Sequence, residues 1–207
     1  MNESGPAGSI LSEATRSVAR PGPTMLVELI ERASHGDREA FTSIAAANVD
    51  RCYALAYRIL RDPHQAQDAT QQALIGVWRD LPTLRDPSRF DAWLHRLVVH
   101  ACSVESRGTR RWSARIRTLH VDQDPAPDLA GTLATRQQLE TAFRQLSLEQ
   151  RAVVVLHHYQ GFALTEIAEM LGIPAGTVRS RLHHALKRLR TILDADDAST
   201  DVRGQTA

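Results

Sequence analysis

Two short helices joined by a tight turn are predicted for residues 164–190, and this pattern constrains the fold more than any other feature of the chain. Apolar side chains recur at helical spacing before the turn and again after it, and Gly172 and Pro174 interrupt the pattern between them. The apolar positions are Leu164, Ile167, Ala168 and Leu171, then Val178, Leu182, Ala185, Leu186 and Leu189. The segment therefore predicts a helix-turn-helix, whose first helix packs and whose second helix projects.

The second of these helices concentrates positive charge. Between Pro174 and Ile192 there is no carboxylate, while the chain as a whole has a formal net charge of only +1. The cations of this stretch are Arg179, Arg181, Lys187, Arg188 and Arg190. Such a face attracts phosphate, so it predicts contact with nucleic acid. For Arg188 and Arg190 the alternative is a solvated helix end that complements the helix dipole.

The residues that begin this helix suit close approach to DNA. Ala175, Gly176 and Thr177 are small, and the free N–H groups of a helix amino terminus favour a phosphate oxygen. Arg179 and Ser180 fall one turn further in, where side chains reach base edges, whereas Arg181, Lys187 and Arg188 are placed for phosphates. Many helical hairpins share this spacing, so geometry alone leaves a purely structural role open.

The rest of the chain is also predicted to be helical, and the fold class is all-α. No alternation typical of a strand persists, and apolar stripes at helical spacing continue from Met25. Gly36 precedes Asp37, which can cap the next helix. Ser147 and Gln150 form a capping-box pattern, which predicts a helix over Leu148–Tyr159 that ends at Gly161.

Shifts in composition divide the chain into two small helical domains. Residues 1–24 are rich in Gly, Pro and Ser and are predicted to be a disordered arm, and 194–207 a disordered tail. Residues 119–135 interleave aspartates with prolines, which predicts a flexible acidic linker. The first domain then covers 25–118, and the second, with the helix-turn-helix, covers 136–193.

Several classes of protein and site are not favoured by the sequence. No apolar stretch is long enough for a membrane span or a secretory signal, so the chain is expected to be cytoplasmic. Cys52 and Cys102 lack metal-ligand spacing and are expected to be reduced thiols, although their redox activity stays open. His157 is adjacent to His158, and His183 is adjacent to His184. Adjacent side chains on a helix point about 100° apart, so neither pair predicts a metal site. No cofactor and no catalytic residue are predicted, because the carboxylates are scattered.

Two stretches resemble bacterial sigma factors of the sigma-70 family, and above all its extracytoplasmic-function (ECF, group 4) subfamily. The segment LSLEQRAVVVLHHYQGFALTEIAEMLGIPAGTVRSRLHHALKRLR is similar to region 4 of that family. The segments DPHQAQDATQQALIGVWRDLPTL and FDAWLHRLVVHACSVESR are similar to its region 2. The resemblance covers residues 25–118 and 136–193, and two motifs in the expected order are more specific than either alone. It implies a non-enzymatic subunit of RNA polymerase that recognises the minus-35 and minus-10 promoter elements and directs initiation.

The resemblance implies that the first domain binds core polymerase through the clamp coiled coil of the largest subunit. The matching positions are Asp68, Gln71, Gln72 and Trp78. The family usually has Glu at the position of Gln72, so this chain lacks one charge there. Asp68 could instead cap or pair within its helix, and Trp78 could lie in the core.

The resemblance also places the minus-10 element against the end of the first domain. The matching residues are Trp93, His95, Arg96, His100, Arg107, Arg110 and Arg111. An aromatic ring and cations suit melted, single-stranded DNA. Residues 106–111 are expected to form a mobile basic loop, and Trp93, on an apolar stripe, could instead be core.

In the second domain the resemblance places the minus-35 element against the projecting helix. The matching residues are Thr177, Arg179, Ser180, Arg181, His183, His184 and Lys187. The family often has Arg at the position of His184, which predicts altered readout. Further implied partners are the flap of the second-largest polymerase subunit, promoter DNA and an anti-sigma factor.

Two other functional classes compete with this interpretation. A sigma-like helix-turn-helix regulator that does not bind core polymerase usually carries a sensor domain with strands, which residues 25–118 do not predict. A nuclease would need clustered carboxylates or a phosphate-binding glycine-rich loop.

Overall fold

The structure is a computed structural model that describes residues 22–115 and 132–204, with side chains over 24–108 and 138–194. Within these ranges the chain is helical and contains no strand, which confirms the predicted all-α class. The helices are α1 (Pro23–Ser34), α2 (Arg38–Leu60), α3 (Pro63–Asp80), α4 (Phe90–Arg115), α5 (Thr132–Arg144), α6 (Leu148–Val154), α7 (Leu164–Leu171) and α8 (Ala175–Gly204). Two 3-10 turns, Leu81–Thr83 and Pro87–Arg89, join α3 to α4.

Helices α1–α4 form the first domain, and aspartates begin two of them. The carboxylate of Asp37 accepts hydrogen bonds from the backbone N–H groups of Glu39 and Ala40, as its predicted capping role requires. Asp62 accepts in the same way from Gln65 at the start of α3. Each cap satisfies N–H groups that the helix itself leaves unpaired, and contributes about 1 kcal/mol.

The core of the first domain lies between α2, α3 and α4. Its largest fully buried side chains are Ile44, Leu55, Ile59, Val77, Leu81, Phe90 and Val98. Burial of each removes apolar surface from water and stabilises the fold by about 1.5–3 kcal/mol. This core fixes the outer faces of α3 and α4, which carry the candidate site residues of the domain.

Helices α5–α8 form the second domain. The predicted capping box is present, because Ser147 Oγ accepts from the N–H of Gln150 and the Gln150 side chain accepts from the N–H of Ser147. The α-helix that follows ends at Val154, and Val155–Tyr159 form a π-helical turn, so the predicted helix over Leu148–Tyr159 is wider at its end. Gly161 then stops it at a φ of 77°, a conformation that glycine adopts without steric cost.

Two helices continue where an irregular chain was expected. Residues 106–111 are part of α4 and not a loop, since that helix runs to Arg115. No proline interrupts this stretch, and the Arg107 side chain donates to the Ser103 carbonyl one turn earlier (3.0 Å). Similarly, α8 continues to Gly204 and includes most of the expected tail, residues 194–207. The tail contains alanines, which favour helix, and no proline. Residues 1–21 of the expected arm and 119–131 of the expected linker lie outside the described residues, whereas 23–24 belong to α1 and 132–135 belong to α5.

The two domains touch each other. Helices α6 and α7 of the second domain pack against α2 and α4 of the first. In the described parts of the chain, no helix is both long enough and apolar enough to cross a bilayer.

Candidate nucleic-acid interface

Helix α8 divides its side chains between a buried face and an exposed face. Val178, Leu182, Ala185 and Leu189 are buried against the second domain, as the apolar spacing predicted. The predicted minus-35 residues Arg179, Ser180, His183, His184 and Lys187 are exposed, and Thr177 and Arg181 are half-buried. The structure thus brings all seven onto one helix, most of them on its solvent side. Leu186, expected on the apolar stripe, is 39% exposed and also belongs to this outer face.

A glycine turn separates α7 from α8. Gly172 ends α7 in the left-handed region, with a φ of 65°, and the N–H of Ile173 donates to the Ala168 carbonyl (3.1 Å). The N–H groups of Thr177 and Val178 then donate to the carbonyl of Pro174, which begins the new helix. Ala175 and Gly176 are exposed. The amino terminus of α8 is therefore open to solvent, where it can receive an anion.

A second row of basic side chains lies on α4. Arg96, His100 and Arg107 are exposed, and their spacing places them along one side of the helix. Trp93 is half-buried and packs beside Phe90, with ring centroids 6.0 Å apart. Of the remaining predicted minus-10 residues, Arg110 and Arg111 have side chains outside the described residues. This part of α4 combines an aromatic side chain with a basic surface.

His95 is not part of that surface, contrary to the sequence-based expectation. It is only 5% exposed. Its Nδ1 contacts the Asp91 carbonyl, its Nε2 lies 3.3 Å from Gln160 Oε1, and its ring meets Phe162 edge-on at 5.2 Å. Burial lowers the pKa of His95, and the hydrogen bond to Asp91 only partly offsets this effect. His95 precedes Val98 by three residues, so its place beside the apolar stripe was a signal in the sequence.

An apolar groove lies between α2 and α3. Its volume is about 520 Å³. Trp78, 39% exposed, meets Phe41 edge-to-face at 4.8 Å, and Ile75 is 51% exposed. The groove, called the α2–α3 groove below, is lined by Arg38, Phe41, Thr42, Ala45, Gln71, Leu74, Ile75 and Trp78. Two predicted polymerase-binding residues, Gln71 and Trp78, thus share one groove.

The sequence interpretation did not propose most of the residues that line this groove, among them two large apolar side chains, and it left the burial of Trp78 open. Phe41 and Ile75 were not proposed as site residues, although Ile75 falls on the polar side of an otherwise regular helical pattern. The Trp78 side chain is partly buried, because its ring packs on Phe41 while part of it faces solvent. Asp68 and Gln72 are exposed beyond the groove, and the side chain that caps α3 is that of Asp62.

The two cysteines and the histidine pairs do not form a reactive or metal site in the described parts of the chain. Cys52 and Cys102 are buried free thiols, and burial raises the pKa of each to about 12. The thiolate is the reactive form, so these thiols are poor nucleophiles. No group of His, Cys, Asp and Glu among the described residues could hold a metal ion. His157 Nδ1 instead lies 2.9 Å from the Phe162 carbonyl.

Comparison with known proteins gives matches over both domains. The model of Sigma-70 region 2 matches residues 44–111, and that of Sigma-70, region 4, matches residues 136–189. The chain is 32% identical over 176 residues to the ECF RNA polymerase sigma factor SigM of Mycobacterium tuberculosis, covering 85% of this chain and 88% of that relative. It is 34% identical over 166 residues to the RNA polymerase sigma-E factor of Streptomyces coelicolor, covering 78% and 90%.

Solved structures match the fold. The sigma factor RpoE from Bartonella quintana, in complex with the anti-sigma factor NepR, has a TM-score of 0.61 and 24% identity, covering 75% of this chain and 98% of that one. CnrH, in complex with the cytosolic domain of CnrY, has a TM-score of 0.57 and 24% identity, covering 83% and 99%. At this identity the likeness concerns the helical architecture.

Proposed function

Because the chain belongs to the sigma-70 family, within its extracytoplasmic-function group, we propose that it is the promoter-specificity subunit of RNA polymerase. It binds the core enzyme, recognises the minus-35 and minus-10 elements and directs initiation. One observation supports this assignment above the others: a single chain carries both the α2–α3 groove and the cationic outer face of α8. A regulator that only binds DNA has no use for the first of these surfaces.

The α2–α3 groove suits the clamp coiled coil of the largest polymerase subunit. Protein interfaces combine an apolar centre, in which aromatic side chains are enriched, with a polar rim. Trp78 and Ile75 supply the centre here, and Gln71 lies beside them. Asp68 and Gln72 are exposed further along α3 and supply the rim. A helix of the coiled coil can lie in such a groove.

The basic side of α4 suits the minus-10 element. Arg96, His100 and Arg107 face solvent in a row, so they can follow the phosphates of a single strand. Trp93 is half-buried at the beginning of that row and offers part of a ring for stacking. We assign Arg110 and Arg111, further along the same helix, to the same role.

The exposed face of α8 suits the minus-35 element. A helix of this kind lies in the major groove, with residues of its first turns at the base edges. Arg179 is exposed there and can donate two hydrogen bonds to a guanine. Lys187 lies two turns further on and contacts phosphate. His183 and His184, also exposed, offer ring nitrogens to neighbouring bases.

The remaining partners follow from this function. The second domain binds the flap of the second-largest subunit, and the acidic linker, residues 119–135, passes through polymerase channels that otherwise take nucleic acid. An anti-sigma factor controls the chain by covering surfaces of both domains. The chain acts in the cytoplasm, where the polymerase works, and it contributes no catalytic step of its own.

Reconstituted transcription tests the proposal. Purified chain is added to core polymerase with a library of promoter fragments, and start sites are mapped by sequencing the transcripts. We expect new, specific start sites that core polymerase alone does not produce, and co-purification of the chain with the core enzyme. DNA binding without either result would favour the regulator that acts independently of core polymerase, and the proposed function would be wrong.

A further inference from the structure

A pocket between α2 and α5 contains none of the residues assigned above to polymerase or promoter DNA. Its volume is about 430 Å³, within the range of about 300–1,000 Å³ that small-molecule sites occupy. The chain has three tyrosines, and all of them line this pocket. The pocket is called the α2–α5 pocket below, and its aromatic and cationic lining consists of Tyr53, Tyr57, Arg58, Arg61, Phe143 and Tyr159.

The tyrosines leave ring surface open to a ligand. Tyr53 and Tyr57, one turn apart on α2, stack with their ring centroids 6.2 Å apart and their planes 18° apart. Tyr53 is still 39% exposed, and Tyr159 is 55% exposed. A planar ligand that covers such rings removes apolar surface from water and gains the stacking interaction. The pocket therefore favours a ligand with a planar ring.

Arg61 reaches the pocket from an unusual backbone conformation. It ends α2 at a φ of 61°, and among the described residues it is the only one other than glycine with a positive φ. Glycine is favoured there, because a Cβ crowds the following carbonyl oxygen. The Arg61 guanidinium lies between two rings, 5.7 Å from the centroid of Tyr57 and 5.8 Å from that of Phe143. Strain of this kind is typical of binding sites.

Arg58 has donors available for a ligand. Its guanidinium carbon lies 5.0 Å from the ring centroid of Tyr159, and its Nη1 donates to the Ala54 carbonyl at 3.1 Å. Arg61 pairs with Glu140 at 3.2 Å. None of the ion pairs between described residues includes Arg58. A guanidinium carries several N–H donors, and those that remain can bind an oxyanion. Two cations against one carboxylate also favour an anionic ligand.

We propose that the α2–α5 pocket binds a nucleoside monophosphate. The base covers the exposed tyrosine rings, and the phosphate accepts hydrogen bonds from Arg58. A guanidinium can stack on a ring and still bind phosphate along its N–H edge. A longer phosphate chain would bring more negative charge towards Glu140, so the monophosphate fits best. This site does not rest on the proposed function, because none of its residues takes part in that function.

Calorimetric titration of the purified full chain tests the site without polymerase or promoter. The ligands are the four common ribonucleoside monophosphates, with each nucleoside alone and ribose 5-phosphate alone as matched controls. We expect at least one monophosphate to bind about tenfold more tightly than its nucleoside or ribose 5-phosphate, because base and phosphate both contribute. Added salt should weaken this binding, since the phosphate contact is electrostatic.

Substitutions locate the bound nucleotide. Tyr159→Ala should weaken binding about tenfold, whereas Tyr159→Phe keeps the ring and should bind as the original chain does. Tyr159 is mostly exposed, so neither change disturbs the core. Arg58→Gln should also weaken binding about tenfold, because the charged donor to phosphate is lost. Arg144→Gln makes the same change at an exposed position of α5 outside the pocket and should have no effect.

Each result supports or overturns the site. If no monophosphate binds, or if Arg58→Gln and Arg144→Gln weaken binding equally, the pocket is not a nucleotide site. If an oligo-dT strand binds through Tyr159 and no monophosphate does, the pocket belongs to a nucleic-acid surface and the proposal is again wrong. Should Arg58→Gln melt at a lower temperature, the two Tyr159 variants decide alone. Failure here leaves the proposed function standing, since that function is measured by transcription.

Discussion

The ring of Phe41 on α2 meets the ring of Trp78 on α3 edge-to-face, with centroids 4.8 Å apart. Because Phe41 is itself half-buried against the core, it holds the indole in place and leaves part of it facing solvent. Aromatic pairs of this geometry contribute about 0.5–1.5 kcal/mol beyond their buried area. A tryptophan that is held rigidly and yet 39% exposed is a typical anchor for a protein partner.

Truncation of this anchor should weaken binding to core polymerase. For Trp78→Ala we expect roughly thirtyfold lower affinity, since truncation of an interface tryptophan costs about 2 kcal/mol. Ile75→Ala should also weaken binding, with little loss of stability because Ile75 is half-exposed. Val104→Ala removes an exposed apolar side chain from α4 and serves as the matched control. Biolayer interferometry with immobilised core enzyme measures the three variants, and equal affinities for all would exclude the α2–α3 groove as the contact.

Two cations of α8 should contribute in different ways to promoter recognition. Arg179→Ala should cost about 1–3 kcal/mol of discrimination between the preferred minus-35 sequence and a variant at the contacted base, because the bidentate contact is lost. Lys187→Ala should weaken binding to every sequence equally and make it less sensitive to salt. Competition assays with holoenzyme at several salt concentrations separate the two effects. A uniform loss for Arg179→Ala would reassign that residue to phosphate.

Acidification should open the two domains through His95. Burial is the main cause that lowers the pKa of this imidazole in the closed chain, and Arg51 on α2 lowers it further. Asp91 on α4 and Gln160 of the second domain act in the opposite direction. In an open chain the ring regains an ordinary pKa near 6.5. Closure is therefore fully favoured above that pH and is lost as the pH falls below it, because the open form binds the proton more tightly.

Scattering at a series of pH values checks this dependence. The radius of gyration of the full chain should rise between about pH 7 and pH 5, around the ordinary pKa of histidine. His95→Gln replaces the imidazole by a neutral amide and should remove the rise, although the variant keeps every other histidine of the chain. If the variant expands with the same midpoint as the original chain, the transition belongs to another group and the role of His95 is wrong.

The sequence predicted those features that neighbouring residues determine. Asp37, the Ser147–Gln150 box and Gly161 act within a few residues, so their roles could be deduced from local pattern and are confirmed. The partner of His95 could not be deduced in this way, because Gln160 is 65 residues away and only the packing of two domains brings them together. The boundaries of α4 and α8 were also missed, since basic or acidic composition was taken as a sign of irregular chain although both stretches lack proline.

The candidate site residues also differ in whether neighbouring residues in the sequence determine their position. The cationic face of α8 was predictable, because helical periodicity alone separates Arg179 and Lys187 from the buried Val178 and Leu182. The α2–α3 groove was only partly predictable, because it depends on where Phe41 of one helix meets Trp78 of the next. Periodicity assigns a residue to a face of its own helix, and it does not identify the side chain that faces it from another.

The buried cysteines should make the folded chain insensitive to thiol reagents. Burial raises the pKa of Cys52 and of Cys102 to about 12, so almost no thiolate is present at neutral pH, and neither sulfur is accessible. We expect alkylation by a maleimide to be slow in the native protein and complete within minutes in guanidinium chloride, as followed by intact mass spectrometry. Oxidation by peroxide should be equally slow, and transcription should survive it. Rapid labelling of the native protein at either cysteine would show that α2 or α4 opens locally, and would make that thiol a candidate redox sensor.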